Sequence, residues 1–292
     1  MNLQMTNDRT HTSNHTWENA VLWLRNQPEL QKLVLDAYYD DPLHIAAERY
    51  LNSDEWQAIR SLLPQAGLIL DVGAGRGIAS YAFAREGFSV TALEPYDSDI
   101  VGAGAIRKLA LDASLSIDVV QEFSEHLPFV DASFDVVFAR AVLHHTDNLY
   151  AACKEYARVL RPGGVFIAIR EHVISRHDDK QAFLDTHPLH HLYGGEDAFL
   201  LSDYLHAIES SGLQMAKVLD PFASPINFAP YSLKSLQQEI ALRISRYLPY
   251  SAKVSVELMS VPLIWQIVRR ILNLFDNRPG RLYSFIALKG RT

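Results

Sequence analysis

"LILDVGAGRGIAS" runs from Leu68 to Ser80. It opens on a short apolar run that meets one acid, Asp71, and then crowds Gly73, Gly75 and Gly77 together before a helical pattern begins at Ile78. A strand, a glycine-dense turn and a helix in that order begin a βαβ unit. In an open parallel sheet such a turn lies beyond the carboxyl end of the strand, where ligands bind. Each glycine can take positive φ or let a ligand approach the backbone closely, and the following helix presents unpaired N–H groups at its start.

Downstream, strand-like runs at Ser89–Leu93, Ile117–Val120, Phe134–Ala139 and Val165–Ile169 alternate with helical patterns at Ile78–Glu86, Asp99–Leu111 and Leu149–Leu160, the last stopped by "RPGG". Strand–helix–strand repetition requires crossovers, so residues 65–221 are expected to form a doubly wound, Rossmann-like α/β core with helices on both faces of a mostly parallel sheet. Two further strands are expected at Leu213–Leu219 and Leu282–Leu288, residues 281–292 closing the core. Residues 1–15 are polar and expected to be disordered. Residues 16–64 show helical periodicity punctuated by Pro28, Pro42 and Pro64, an N-terminal cap of about four short helices. Residues 222–280, with helical patterns at Leu233–Leu248 and Val254–Leu274, are an insertion before the last strand.

The most apolar stretch, "VSVELMSVPLIWQIVRRILNLF" from Val254 to Phe275, is broken by Glu257, Pro262, Gln266, Arg269 and Arg270. It falls short of the roughly 20 clean apolar residues a spanning helix needs, so it is read as a buried or surface-docking helix rather than a transmembrane segment. A dimer contact, the wall of an acceptor site and peripheral membrane contact through 254–275 are its alternative uses, and both monomer and homodimer stay open. The 292 residues are 48% hydrophobic and 21% charged, an ordinary globular balance. A net charge of −7 with scattered Lys and Arg offers no basic stripe, which argues against nucleic acid. The single Cys153 excludes an internal disulfide or a cysteine-based zinc cage, and no signal-peptide pattern occurs at the start, so a cytoplasmic location is expected.

A dinucleotide fingerprint wants glycines at relative positions one, three and six, which here are Gly73, Gly75 and Ile78, so the third fails. A phosphate loop fails as well, because no Gly-Lys-Ser/Thr follows. An acid immediately ahead of the turn would repel a pyrophosphate and suits a ligand carrying positive charge. S-adenosylmethionine, with an ammonium, a sulfonium and no phosphate, fits that description.

Four segments then carry a resemblance: "ILDVGAGRG", "VTALEP", "LPFVDASFDVVFARAVLHH" and "RVLRPGGVFIAI". In this order and spacing they make the chain similar to class I S-adenosylmethionine-dependent methyltransferases of the subgroup that includes quinone and sterol methyltransferases, closely over residues 67–170 and in outline elsewhere. The resemblance implies a seven-stranded sheet whose last strand is antiparallel, methyl transfer to an O, N or C atom of a small molecule, and S-adenosylhomocysteine as product. It implies that Gly73, Ala74, Gly75 and Gly77 lie under the methionine part of the cofactor, with Asp71 contacting or orienting the loop near the ammonium. Glu94, followed by Pro95, ends the second strand about twenty residues after the glycines, where a carboxylate can accept from both ribose hydroxyls.

The adenine position departs from the pattern. Relatives carry an Asp four residues before the leucine of "LPF", where this chain has Phe123, so Glu122 is assigned the exocyclic amine and Phe123 the ring face. Arg140 leaves the fourth strand with its backbone expected toward the methionine moiety and its side chain toward the substrate opening. His144 and His145 follow at once, as a general base or a structural shelf. Glu171 and His172 are expected at the carboxyl end of the fifth strand, facing substrate.

"HPLHHLYGGED" gathers His187, His190, His191, Tyr193 and two acids. Its histidines lack metal-ligand spacing, so no metal is expected and the segment is read as a loop lining the acceptor pocket. Tyr38, Tyr39 and Tyr50 of the cap either close over the cofactor or pack in the core. The apolar insert around Val261, Leu263, Ile264, Trp265 and Ile267 points to a lipophilic or aromatic acceptor. The competing functions are a relative that binds cofactor or partner without transfer, and a nicotinamide-dependent oxidoreductase.

Overall fold

The computed structural model describes residues 16–187, 189–246 and 252–291; the expectation for residues 1–15 lies outside these. Four short helices come first: α1 (Trp17–Arg25), α2 (Gln31–Asp36), α3 (Leu43–Leu51) and α4 (Asp54–Arg60). Thr16 and Ser53 start α1 and α4 by accepting from the backbone N–H of Asn19 and Trp56, the side-chain capping that frees a helix end from unpaired donors.

The alternating region follows as β1 (Leu68–Val72), α5 (Ile78–Arg85), β2 (Ser89–Leu93), α6 (Ala103–Asp112), β3 (Ile117–Val120), β4 (Phe134–Arg140), α7 (Leu149–Val159) and β5 (Leu160–Ile174). Then come α8 (Asp179–Thr186), α9 (His190–Tyr193), β6 (Phe199–Leu200), α10 (Leu201–Ser210) and β7 (Leu213–Leu219). The chain ends with α11 (Pro225–Phe228), α12 (Leu233–Ser245), α13 (Ala252–Met259), α14 (Pro262–Phe275) and β8 (Arg281–Lys289).

Strand order is β3-β2-β1-β4-β5-β8-β7, parallel except for β8, which runs antiparallel to both neighbours. Order reverses between β1 and β4, so the turns after these two strands flank the point where such sheets bind ligands. Successive side chains of a strand point to opposite faces. Ile69, Val136, Phe138 and Ile167 therefore meet the cap and α5 through Tyr50, Trp56 and Phe83, while Leu70, Val137, Phe166 and Phe285 meet α7 and α10 through Tyr156 and Tyr204.

Four expectations need correction. The sheet has an eighth, two-residue strand, β6, paired to the far end of β5. β5 itself is 15 residues long. Arg170 takes φ 60 and the register with β8 shifts between Ala168 and Glu171, after which Glu171, His172 and Val173 pair with Tyr283, Leu282 and Arg281. That bulge breaks the apolar alternation, and the polar "REH" then reads as a strand end. The helix expected from Asp99 begins at Ala103, because the Ser98 hydroxyl accepts from the N–H of Ile100 and Val101 and holds a turn there. The pattern over 254–274 is two helices, with Pro262 starting α14 where its missing N–H costs nothing.

Trp265 packs in a separate small core with Phe228, Leu236, Ile240, Ala241 and Met259, whereas Leu263, Ile267, Ile271, Leu274 and Phe275 are exposed. Among the described residues no helix is long and apolar enough to cross a membrane.

Candidate active site

The glycine turn is held open by backbone geometry. Gly73, Gly75 and Gly77 have φ of 59, 57 and 80, the left-handed region that side chains disfavour. A Cβ on Gly73 would stand 2.7 Å from Cγ2 of Val142, so the turn after β4 presses directly on it. A Cβ on Gly75 would meet nothing within 4 Å; that backbone faces open space. The Ala74 N–H donates to Leu93 O at 3.0 Å, tying the turn to the end of β2.

Asp71 does not reach that open side. Its carboxylate is 2% exposed and accepts from the Ser80 hydroxyl at 2.5 Å, one turn into α5. Burial pushes its pKa up to about 7 despite that bond. Asp71 thus ties the end of β1 to the first turn of α5.

Glu94 bridges the two sequence motifs. Oε2 accepts from the Gly75 N–H at 2.9 Å and Oε1 from the Tyr96 N–H at 3.3 Å, and burial raises the carboxyl to about 7. A carboxylate offers about four lone-pair sites, so accepting capacity remains at the mouth of the turn. Beside it, beyond half-buried Pro95, the Tyr96 and Phe123 rings are 57% and 56% exposed and meet edge to face at 6.3 Å between centroids. Glu122 instead accepts from the Phe123 N–H at 2.9 Å, which fixes the loop. Tyr96 carried no sequence signal beyond its place two residues after Glu94. A bare, open backbone, an acid with unused acceptor sites and two exposed rings thus lie side by side at the switch point of the sheet.

Two arginines fasten the cap over this region. Arg76 donates to the carbonyls of Tyr38, Asp40 and Ile100 at 2.9, 2.9 and 3.0 Å and pairs with Asp41 at 2.5 Å. Arg140 pairs with buried Glu55 at 2.7 Å and lies over the rings of Tyr38 and Tyr50. Its side chain therefore locks α4 to β4 and does not face a substrate opening. Tyr38 and Tyr50 are buried in that packing, and Tyr39 stacks edge-on against Trp17.

Beyond β4 and β5 the fold gathers histidines that are far apart in sequence. Glu171 is fully buried and accepts from the N–H groups of Val142, Leu143 and His144 and from His144 Nδ1, the last at 2.7 Å. Those donors occupy it, so it organises the turn rather than facing substrate; burial lifts it to about 7. Burial holds His144 well below the usual imidazole range, and His172 is lowered to about 3 by burial and by neighbouring His144.

His145 donates through Nδ1 to Gly195 O at 2.8 Å, and His172 through Nδ1 to Gly280 O at 2.9 Å. Glu196 stands among them. Burial would raise its carboxyl, yet His145, His144 and His187 bring it down to about 2. Spacing along the chain gives these histidines no metal-ligand pattern. In the fold, His144, His145 and Glu196, and equally His172, His187 and Glu196, hold donor atoms within 4.8 Å of one another. His191 turns away to Asp185 O. Two surface clefts, one lined by Lys154, Arg158 and Lys289 and one by Pro64, Asp135 and Gly163, lie at the opposite ends of the strands.

Residues 70–168 match the sequence profile of a methyltransferase domain. A dimethylglycine N-methyltransferase from Parasynechococcus marenigrum (strain WH8102) is 35% identical over 107 residues, 36% of this chain and 38% of that protein. The chain thus spans about two fifths of the length of the curated relatives it matches, 38% to 43%. Among solved structures, a geranyl diphosphate C-methyltransferase from Streptomyces coelicolor A3(2), in complex with Mg2+, geranyl diphosphate and S-adenosyl-L-homocysteine, superposes with a TM-score of 0.57 at 16% identity over 90% of this chain and 85% of that one. The [4+2]-cyclase SpnF gives 0.53 at 18% identity over 86% and 82%. Both likenesses are of fold.

Proposed function

We propose that the chain, whose residues 70–168 match a methyltransferase domain, is a class I S-adenosylmethionine-dependent methyltransferase that transfers a methyl group to an O, N or C atom of a small-molecule acceptor. The observation that carries the reading is Glu94 joined to Gly75 at the switch point of the sheet, with acceptor sites left over for ribose hydroxyls. When bound, S-adenosylmethionine would supply an electrophilic methyl on its sulfonium, which an in-line nucleophile of the acceptor would take while S-adenosylhomocysteine leaves. The protein's tasks are then to orient, to exclude water and, for a hydroxyl or carbon acid, to accept a proton.

In this reading Gly73–Gly77 receive the amino-acid tail, Glu94 the ribose, and Tyr96 with Phe123 the base. Asp71, Arg76, Arg140 and Glu171 position these groups without touching substrate. The acceptor lies against His144, His145 and His172, beyond the ends of β4 and β5. His144 is buried, whereas His145, its side chain 33% exposed, and His172 are partly accessible; the Nε2 of His145 stands 3.8 Å from Glu196. The apolar surface of α14 favours a lipophilic or aromatic acceptor.

A second reading keeps the binding site without transfer, since a [4+2]-cyclase shares the fold and fold alone does not fix chemistry. Calorimetric titration tests the first step: S-adenosylhomocysteine should bind and NAD should not, because Ile78 stands where the third glycine of a dinucleotide turn belongs. Binding of neither sinks both readings. Release of S-adenosylhomocysteine in step with a methylated product separates transfer from mere binding.

A further inference from the structure

Glu196 lies between α9 and β6 with its side chain 4% exposed. Oε1 accepts from the Tyr193 hydroxyl at 2.6 Å, but Oε2 accepts no hydrogen bond among the described residues. An ionised oxygen buried without a partner is costly, so its surroundings bear on what it is for. The Nε2 atoms of His144 and His145 stand 3.7 and 3.8 Å from Oε2. These separations are too long for hydrogen bonds, and close to the edge of about 3.4 Å between two ligands of a tetrahedral ion with bonds of about 2.0–2.1 Å.

The outer nitrogens support the same reading. A carbonyl can only accept, so Gly195 O fixes the proton of His145 on Nδ1 and Gly280 O fixes that of His172. Glu171, which accepts from three backbone N–H groups, does the same for His144. Each of the three rings therefore turns an unprotonated Nε2 away from its anchor, as metal-ligating histidines do when their other N–H donates to a carbonyl or carboxylate. On the other side of the carboxylate, His187 Nδ1 is buried without a partner 3.7 Å from Oε1.

We propose that His144 Nε2, His145 Nε2 and Glu196 Oε2 bind a divalent transition-metal cation, with His172 and His187 completing the donor set across the same carboxylate. Imidazole and carboxylate donors suit Zn2+, Fe2+, Co2+ or Ni2+, whereas Mg2+ and Ca2+ take oxygen ligands. Such an ion lowers the pKa of a coordinated acceptor hydroxyl, whose proton passes to water. That role rests on the function proposed above; binding of the cation does not.

The test uses untagged, metal-stripped full chain titrated with Co2+ in the absence of any cofactor, followed by visible absorption and calorimetry. Saturable binding is expected that millimolar Mg2+ does not displace. Glu196→Gln and His145→Ala should each weaken it at least about 10–100-fold, the loss seen even for outer partners of metal ligands. His177→Ala, at an exposed histidine outside the cluster, should leave it unchanged. If Glu196→Gln does not fold, His145→Ala at its partly exposed position carries the comparison. No saturable Co2+ binding, or wild-type affinity in folded Glu196→Gln or His145→Ala, overturns the proposal. Because no cofactor is present, a failure of S-adenosylhomocysteine to bind elsewhere leaves this result standing, and the converse also holds.

Discussion

Glu94 gives a prediction whose size follows from its surroundings. Burial raises its carboxyl to about 7, and the N–H groups of Gly75 and Tyr96 offset only part of that rise. In the free protein about a tenth of the molecules carry the ionised form at pH 6 and about nine tenths at pH 8. Ribose hydroxyls donate, so they favour the ionised form, and binding must first remove the proton wherever it is present. The affinity for S-adenosylhomocysteine should therefore fall about tenfold from pH 8 to pH 6.

Glu94→Gln keeps the shape and removes the charge. Hydrogen bonds to a charged group contribute about 1.5–3 kcal/mol, so at pH 8 the variant should bind about 10–150-fold more weakly, and its affinity should change little between the two pH values. Calorimetry on both proteins at both pH values measures all four numbers. A variant that binds as the wild type does, or that keeps the same pH dependence, would refute the ribose assignment.

Three further outcomes follow from the same geometry. Asp71, with a native pKa of about 7 against an unfolded value near 3.8, keeps its proton in the folded state where the unfolded chain has lost it. Its contribution to stability is present at low pH, is lost as pH rises through about 4 to 7, and amounts to the order of 4 kcal/mol. Urea unfolding at pH 4.5 and 8 should show a smaller decline for Asp71→Asn than for wild type, and equal declines would count against it. Gly73→Ala adds a Cβ 2.7 Å from Val142 at φ 59, so it should lower the thermal midpoint, with left-handed strain alone costing about 1–2 kcal/mol. Val142→Ala should restore only the part due to the clash; full restoration or none would contradict the geometry. Arg140→Met leaves Glu55, 1% exposed, buried without its partner, a loss of about 3–5 kcal/mol. Adding Glu55→Gln should recover much of it in denaturant unfolding, and strictly additive losses would show the pair to be uncoupled.

Much of the fold was legible because it is written in local pattern. The strands Leu68–Val72 and Ser89–Leu93 have the bounds their apolar runs predict, since central strands of a covered sheet are apolar on both faces, and the edge strands Ile117–Val120 and Leu213–Leu219 keep their predicted bounds as well. The glycine turn and Glu94 were legible for a similar reason, each being fixed by a strand end. What escaped depends on partners distant in the chain. The place of Asp71 before the turn does not show that Ser80 claims its carboxylate, and the place of Arg140 at the end of β4 does not show that Glu55, 85 positions earlier, takes its guanidinium. Glu171 looked like a free base at a strand end because the bulge at Arg170 hides the continuation of β5. The meeting of His144, His145, His172 and His187 on Glu196 leaves no trace in spacing, because four separate segments converge there.

The central claim is tested most directly by a crystal structure of the protein with S-adenosylhomocysteine. The ribose hydroxyls should lie on the carboxylate of Glu94, the amino-acid tail along Gly73–Gly77, and the sulfur toward the side on which His144 and His145 stand. A ligand bound elsewhere, or one whose sulfur faces away from those histidines, would contradict the account.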